Sequence, residues 1–321
     1  MTKTDKIGSV DRPLRVGVLP IPGFALLSYA STVEPLRAAN LLSRRVLYDV
    51  INIAMDAQSV PSSGAGCITV QAQVGDSLGL DYLFVVAGGN PVLFNDRKIL
   101  NWLTRQARFG VRMGGVSGGP VILARAGLMN GRRMTVHWEH AAALGEISPT
   151  LLIERSLFVV DRDRVTCAGG TAAMDMMHAL ISQHHGAMFA RQISDWFMHT
   201  EIRPSIGPQR SGLVERIGTT NPAILDAVDA MEARVADVMT LDQLAAVAGV
   251  SPRQLNRLFR QKLGRATMRF YRELRLEKAQ NLLRNSSLSL TEIGLATGFA
   301  TSSHFSRAYS AFFGSAPSAL R

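Results

Sequence analysis

The sequence predicts an α/β doubly wound N-terminal domain joined to an all-α C-terminal domain with two helix-turn-helix units. Three observations carry this expectation. β-Rich runs alternate with amphipathic helical segments over about the first 200 residues, a Pro, Gly and Ser rich stretch follows, and about the last 85 residues contain a degenerate repeat. At 321 residues the chain is long enough for two domains of ordinary size, each with ample core.

The N-terminal elements follow from periodicity. Leu14–Pro20, Val46–Ala54, Tyr82–Ala87 and Val111–Val116 read as strands, and between them Tyr29–Leu42 and Asp96–Phe109 have helical spacing. Such alternation implies a parallel, flavodoxin-like sheet with helices on both faces and a ligand crevice at the carboxyl ends of its strands. The fourth strand runs into Gly114-Gly-Val-Ser-Gly-Gly-Pro-Val, which sets Ser117 where a nucleophile elbow would hold it. A helix beginning near Gly118 and Gly119 would aim free backbone amides at the crevice, a preformed place for a carboxylate.

Gly115 to Gly119 matches the G-x-S-x-G pattern of serine hydrolases, so chemistry at Ser117 is one reading. A serine nucleophile needs an adjacent base held by a third group. The candidate bases are His137, only 20 residues further on, and His178, His184 and His185 in a helical segment. Hydrolases of this elbow type place an acid and then a distant His after the serine, and nothing in the spacing here singles out such a pair. The other reading is a tight turn lining a binding pocket, with no catalytic residue. Phe24, Tyr29, Phe94 and Trp138 lie near other strand ends and could face a cation if they converge.

Other residues carry less. Cys167 follows the strand-like Arg164-Val-Thr and reads as a small buried residue, while Met174, Met176, Met177 and Met188 read as fillers of core gaps. His184 and His185 with Cys167 or Asp175 make no recognised metal spacing, so no metal and no cofactor are expected. Two cysteines indicate no disulfide framework and fit a reducing compartment. No apolar run approaches the ~20 residues of a membrane span, and the polar start Met1 to Arg12 lacks the apolar core of a signal peptide. The expected location is the cytoplasm, with no membrane partner.

Arg203-Pro-Ser-Ile-Gly-Pro-Gln-Arg-Ser-Gly is the natural linker, which sets the expected boundaries at 12–202, 203–221 and 222–321. Asn221 to Val238, with Pro222 near its start and an apolar stripe of Ile224, Leu225, Val228, Met231 and Val235, reads as the first helix of the C-terminal domain. Leu241-Asp-Gln-Leu-Ala-Ala-Val-Ala-Gly-Val then returns as Leu290-Thr-Glu-Ile-Gly-Leu-Ala-Thr-Gly-Phe. After each Gly a second helix opens, with Leu255, Leu258, Phe259 and Leu263 as the inner stripe of one copy and Phe305, Ala308, Tyr309 and Phe312 as that of the other. Arg253, Gln254, Asn256, Arg257 and Arg260 are left outward in the first; Ser302, Ser303, His304, Ser306, Arg307 and Ser310 in the second. Such side chains bond bases and phosphates. From Arg253 to Arg284 there are ten Lys or Arg against Glu273 and Glu277, a stripe suited to phosphate neutralisation. The net charge is +10, and residues 206–321 hold 15 Lys and Arg against 9 Asp and Glu.

Ala248-Gly-Val-Ser-Pro-Arg-Gln-Leu-Asn-Arg-Leu-Phe, Arg275-Leu-Glu-Lys-Ala-Gln-Asn-Leu-Leu, Ser303-His-Phe-Ser-Arg-Ala-Tyr and Phe313-Gly-Ser-Ala-Pro-Ser resemble the DNA-binding domain of the AraC/XylS transcription regulators. In that family a long helix joins the two units, and their second helices enter successive major-groove segments, which assigns residues 253–261 and 302–310 as readers. Residues 14–200 are similar to the class I glutamine-amidotransferase-like (ThiJ/PfpI-type) domain fused to such DNA-binding domains in one subfamily. Val33-Glu-Pro-Leu-Arg-Ala-Ala-Asn, Val86-Ala-Gly-Gly, Val136-His-Trp-Glu and Cys167-Ala-Gly-Gly-Thr carry that resemblance. Catalytic relatives have a Cys at the elbow, an acid after the first strand and the amides of a Gly-Gly loop; here Ser117 and Ser28 stand at the first two positions, and only Gly88-Gly89 remains. These departures argue against hydrolysis or amide transfer.

The resemblance implies a ligand-responsive transcription regulator, an activator of catabolic genes. Similar regulators respond to glycine betaine and other methylglycines, carnitine or arginine, which implies a small zwitterionic effector. The expected ligand contacts are Phe24, Ser28, Tyr29, Glu34, Gly88, Gly89, Ser117, Gly118, His137 and Trp138. Double-stranded operator or promoter DNA, the effector, RNA polymerase and a second copy of the chain are the expected partners.

Overall fold

The computed structural model describes residues 12–320, so Met1 to Asp11 of the polar start, and Arg321, lie outside the described residues. The chain forms two compact units that divide between Gln209 and Arg210.

The first unit is built on β1 (Leu14–Pro20), α1 (Leu26–Ser43), β2 (Tyr48–Ala54), the hairpin β3 (Ser59–Pro61) and β4 (Cys67–Thr69), β5 (Ala72–Gln73) and β6 (Tyr82–Ala87). It continues with α2 (Arg97–Arg108), β7 (Arg112–Ser117), α3 (Gly119–Arg125), β8 (Arg133–Met134), α4 (Trp138–Ile147), β9 (Leu152–Ile153), β10 (Phe158–Asp161), β11 (Arg164–Cys167), α5 (Ala172–His185) and α6 (Ala187–Trp196). Seven strands make one sheet in the order β10-β11-β7-β6-β1-β2-β5. The pairing is parallel except between β10 and β11. Strand order reverses between β1 and β6, the switch point outside which sheets of this kind place a ligand crevice at the carboxyl ends of their strands. Side-chain alternation divides the core between the two faces. Val16 and Val18 pack with Leu36 of α1 and with Met176 and Leu180 of α5, whereas Leu19 packs with Trp102 of α2 and Ile122 of α3.

The doubly wound reading holds, with β2 beginning at Tyr48, two residues late, because Asn40 of α1 captures the Leu47 and Tyr48 amides and the Tyr48 carbonyl. Asp96 caps α2 by accepting from the Lys98 and Ile99 amides. Cys167 is buried, and desolvation pushes its thiol pKa up to about 12. Met176 and Met177 fill the core as expected, but Met188 stands 81% exposed on α6.

The stretch read as linker is ordered at both ends. Residues 203–209 pack on the first unit, and α7 (Leu213–Ile217) opens the second. It continues with α8 (Pro222–Ala233), α9 (Leu241–Val247), α10 (Pro252–Leu263), α11 (Thr267–Asn285), α12 (Leu290–Ala296) and α13 (Ser302–Phe313). α8 stops at Ala233, short of the expected Val238. The Arg234 carbonyl is taken by the Tyr271 hydroxyl, and the carbonyls of Val235 and Ala236 turn toward Gly298, where any side chain would stand within 2.8 Å of both. The repeat is carried into three dimensions by its end signals. Thr240, Ser251 and Ser289 form capping boxes with Gln243, Gln254 and Glu292, and Thr301 accepts from the His304 amide. Gly249 and Gly298 take positive φ, 65° and 74°, at the two turns.

Candidate functional site

In the second unit α10 buries Leu255 and Phe259 and leaves Arg253, Gln254, Arg257, Arg260 and Lys262 exposed. α13 buries Phe305 and Tyr309 and leaves Ser302, Ser303, His304 and Arg307 exposed, with Ser306 and Ser310 half-buried. Two corrections concern these faces. Asn256 does not point away from the unit: its Oδ1 accepts from the Thr267 amide at 3.0 Å and so caps the long helix α11. Phe312 is 39% exposed, and Phe313 takes its place against Tyr309 with ring centroids 4.5 Å apart.

The basic stripe is also smaller than its residue count. Arg269 donates to the buried Glu273 at 2.9 Å and Arg265 binds the same carboxylate. Burial pushes the Glu273 pKa up, but the hydrogen bonds from the two guanidiniums outweigh it and hold the carboxyl below its ordinary value. Arg275 is buried and donates to the Thr297 and Gly298 carbonyls, at 2.7 Å each. These three cations stiffen the unit: Arg275 is buried, and Arg265 and Arg269, though exposed, are engaged by Glu273, which leaves the α10 cations with Arg272, Arg284 and Arg307 as the exposed ones outside that pairing.

In the first unit Ser117 closes β7 with φ of +60°, the strained elbow that the sequence pattern predicts. Its neighbours must be small. A Cβ at Gly119 would lie 1.9 Å from the Val85 carbonyl oxygen, and one at Gly115 2.7 Å from the Pro120 nitrogen. Gly88 approaches the loop after β1 so closely that a Cβ would stand 2.7 Å from the Gly23 oxygen. Gly169 abuts the elbow as well, since a Cβ there would meet Ser117 Cβ at 2.6 Å and Ser28 Oγ at 2.8 Å. Ser28 Oγ accepts from the Gly170 amide at 2.7 Å, and the Ser117 carbonyl accepts from the His137 amide at 3.4 Å. The elbow is therefore bordered by Gly88, Gly118, His137 and the loop after β11.

The imidazoles have other duties. His137 Nδ1 accepts from the Glu139 amide and caps α4, and burial lowers its pKa. His178 bonds Ser194, and His184 lies between the Tyr48 and Tyr82 hydroxyls at 2.9 and 2.8 Å. His185 packs edge-on against Tyr48. None of the hydrogen bonds among the described residues joins Ser117 Oγ to an imidazole. The described residues also contain no group of three His, Cys, Asp or Glu fit to hold a metal.

Several expected ligand contacts are corrected. Phe24 is wholly buried and packs on Tyr29, whose hydroxyl donates to Asn52 Oδ1, so neither offers a free face. Glu34 is bound by Arg37 at 2.6 Å on the exposed flank of α1. The Gly118 amide already donates to the Ala87 carbonyl and Pro120 has none to give, which reduces the anion-binding capacity expected of the α3 start. Trp138 remains 42% exposed beside His137, ring centroids 5.4 Å apart. The loop at Gly169-Gly170 was not among the expected contacts; its signal was the glycine pair that directly follows a strand and Ala168.

A mostly parallel sheet with a strained elbow at the carboxyl end of β7 and two cation-edged helix-turn-helix readers define a DNA-binding transcription regulator with a ligand-binding domain. Residues 16–183 match the DJ-1/PfpI family, and residues 244–321 match a helix-turn-helix domain. The HTH-type transcriptional regulator GlxA of Rhizobium meliloti (strain 1021) is 43% identical over 311 residues, 96% of this chain and 95% of the relative. The regulator GbdR of Pseudomonas aeruginosa (strain UCBPP-PA14) is 39% identical over 305 residues, 95% and 83% respectively. The crystal structure of an AraC family transcriptional regulator from Pseudomonas putida is 27% identical and covers 58% of this chain and 100% of its own, with a TM-score of 0.54. The chain belongs to the AraC-type HTH transcriptional regulators that carry a DJ-1/PfpI domain. No helix among the described residues is long and apolar enough to cross a membrane.

Proposed function

We propose that the crevice beside Ser117 is a sensor without catalysis, which takes a small zwitterion of the quaternary-amine or amino-acid kind and alters operator binding by a homodimer in the cytoplasm. The observation that carries this reading is the elbow itself. Its strained geometry and tight glycine neighbours are present, yet among the described residues the hydroxyl meets no imidazole and Ser28, at the acid position, is spent on the Gly170 amide. Such a site keeps the shape of a binding crevice and lacks the relay that nucleophilic attack requires. The exposed indole of Trp138 supplies a π face for a cation, while the Ser117 hydroxyl and the Gly88-Gly89 backbone supply polar contacts. The exposed α10 cations, with Arg307 on the second reader, supply the DNA contacts, and activation by the DNA-bound dimer proceeds through RNA polymerase.

The test is the melting temperature of the full chain against glycine betaine, methylated glycines, carnitine, arginine and polyamines. A compound present at about 100 times its Kd adds about 2.7 kcal/mol to the folded state. A shift confined to one chemical group, and lost in Trp138→Ala, is the expected result. Turnover of simple esters or amides that disappears in Ser117→Ala would replace the sensor reading with a hydrolase.

A further inference from the structure

The segment that leaves the first unit is fastened at three points, and each fastening connects within one or two residues to a group bonded to or packed against Ser117 or Ser28. At the first, Arg203 binds the fully buried Asp175 through its amide at 3.0 Å, its Nε at 2.9 Å and its terminal nitrogen at 2.7 Å, and reaches Thr171 Oγ1 at 2.9 Å. His199 Nε2 holds the other side of the same carboxylate at 2.8 Å. Thr171 follows Gly170, whose amide is bonded to Ser28. At the second, the Ser205 carbonyl accepts from the Leu157 amide, and the Leu157 carbonyl accepts from the Ala168 amide, both at 2.8 Å. Ala168 precedes Gly169, which is wedged against Ser117 and Ser28. At the third, the Gln209 side-chain nitrogen Nε2 donates toward Ser156 O at 2.7 Å, Thr135 Oγ1 at 3.0 Å and Val136 O at 3.1 Å. Val136 precedes His137, whose amide is bonded to the Ser117 carbonyl.

We propose that residues 203–209 are the output arm of the crevice: displacement of the 168–171 loop or of the 136–138 turn by a bound molecule loosens the Arg203, Ser205 and Gln209 fastenings and so frees the chain that leads to the DNA-binding unit. This rests on the sensor reading for its physiological trigger, but the mechanical linkage stands on the geometry alone. Two of the fastenings converge on one loop, so a shift there acts on Arg203 and Ser205 together. The Gln209 side-chain oxygen Oε1 is buried without a partner among the described residues, which makes that contact costly to hold and easy to release.

Hydrogen–deuterium exchange on the full chain tests the linkage without any ligand. Ser28→Ala removes the bond to the Gly170 amide, and Gly169→Ala, a second and harsher variant, forces the same loop away from Ser117. In both, exchange at the Leu157 and Arg203 amides rises at least fivefold while the β6 amides stay as in the wild type. Exchange at Leu157 and Arg203 within twofold of wild type in both variants overturns the proposal. A panel compound that raises the melting temperature yet leaves exchange across 203–209 unchanged also overturns it and leaves the sensor reading standing. An absence of any melting shift removes the effector class and not the linkage, which the variants decide. Where a compound changes the wild-type affinity for a selected DNA fragment tenfold, Gln209→Ala responds less than twofold. A full tenfold response in that variant counts against the arm.

Discussion

The Arg275 guanidinium lies 4.4 Å from the centroid of the Phe299 ring while it donates to the Thr297 and Gly298 carbonyls, so one side chain of α11 grips the turn of the second helix-turn-helix. Asn256 does the reciprocal work at the other end, joining the first reader to the start of α11. The spacing between the two readers is thus set by one helix and two polar clamps.

Arg275→Met removes the grip and leaves two carbonyls unsatisfied. The expected cost is about 2–4 kcal/mol, read as a lowered melting temperature of the DNA-binding unit. Lys at the same position recovers only part of it, because a point charge cannot reach both carbonyls in the plane of the ring. A neutral Arg275→Met would mean that the clamp carries no net stability.

Asn256→Ala costs about 1 kcal/mol through loss of a helix cap and leaves sequence preference on DNA unchanged. Thermal denaturation gives the first quantity, and binding to a set of single-base operator variants gives the second. Relaxed discrimination at one base position would restore Asn256 as a reader.

Arg257→Ala and Arg260→Ala should weaken DNA binding and each lower the salt slope by about one. Arg269→Ala should leave the slope unaltered, since that cation is bound to Glu273. Mobility shifts at several salt concentrations separate the two classes.

Stability should fall in acid between about pH 6.5 and pH 4. Burial pushes the His140 and His184 pKa values down to about 4, so the unfolded chain takes up protons first as pH falls below 6.5. A base with a depressed folded pKa contributes stability that is fully present above the unfolded value and lost as pH drops toward the folded one. The slope approaches about 1.4 kcal/mol per pH unit for a well-buried imidazole. His140→Gln should flatten it, as followed by denaturant unfolding at each pH.

What could be read from the sequence was what is encoded locally. The strands, the elbow and the repeat rest on alternation, on glycines within a few positions and on cap residues three apart. The roles that were misassigned depend on which partner a side chain meets: Arg269 turns to Glu273 one turn along α11 and Arg265 reaches the same carboxylate from before the helix, Arg203 finds Asp175 28 residues back, and Phe24 is closed over by Tyr29 and the hairpin segment at Ser62. A helical wheel gives a residue's outward or inward angle, but not what stands opposite. That is why Asn256 reads as outward and is a cap.

The capping boxes at Thr240, Ser251 and Ser289 close over three residues each, so the start of each of these helices is decided by chain already within reach. Helical turns of this kind form on the order of a microsecond or faster, far ahead of synthesis at roughly 5–20 residues per second. Each half of the DNA reader can therefore take shape while the ribosome is still adding the next, without waiting for the parallel sheet upstream, whose β11 must slot between β7 and β10 before the crevice exists. The part that reads and the part that senses thus mature on different clocks within one polypeptide.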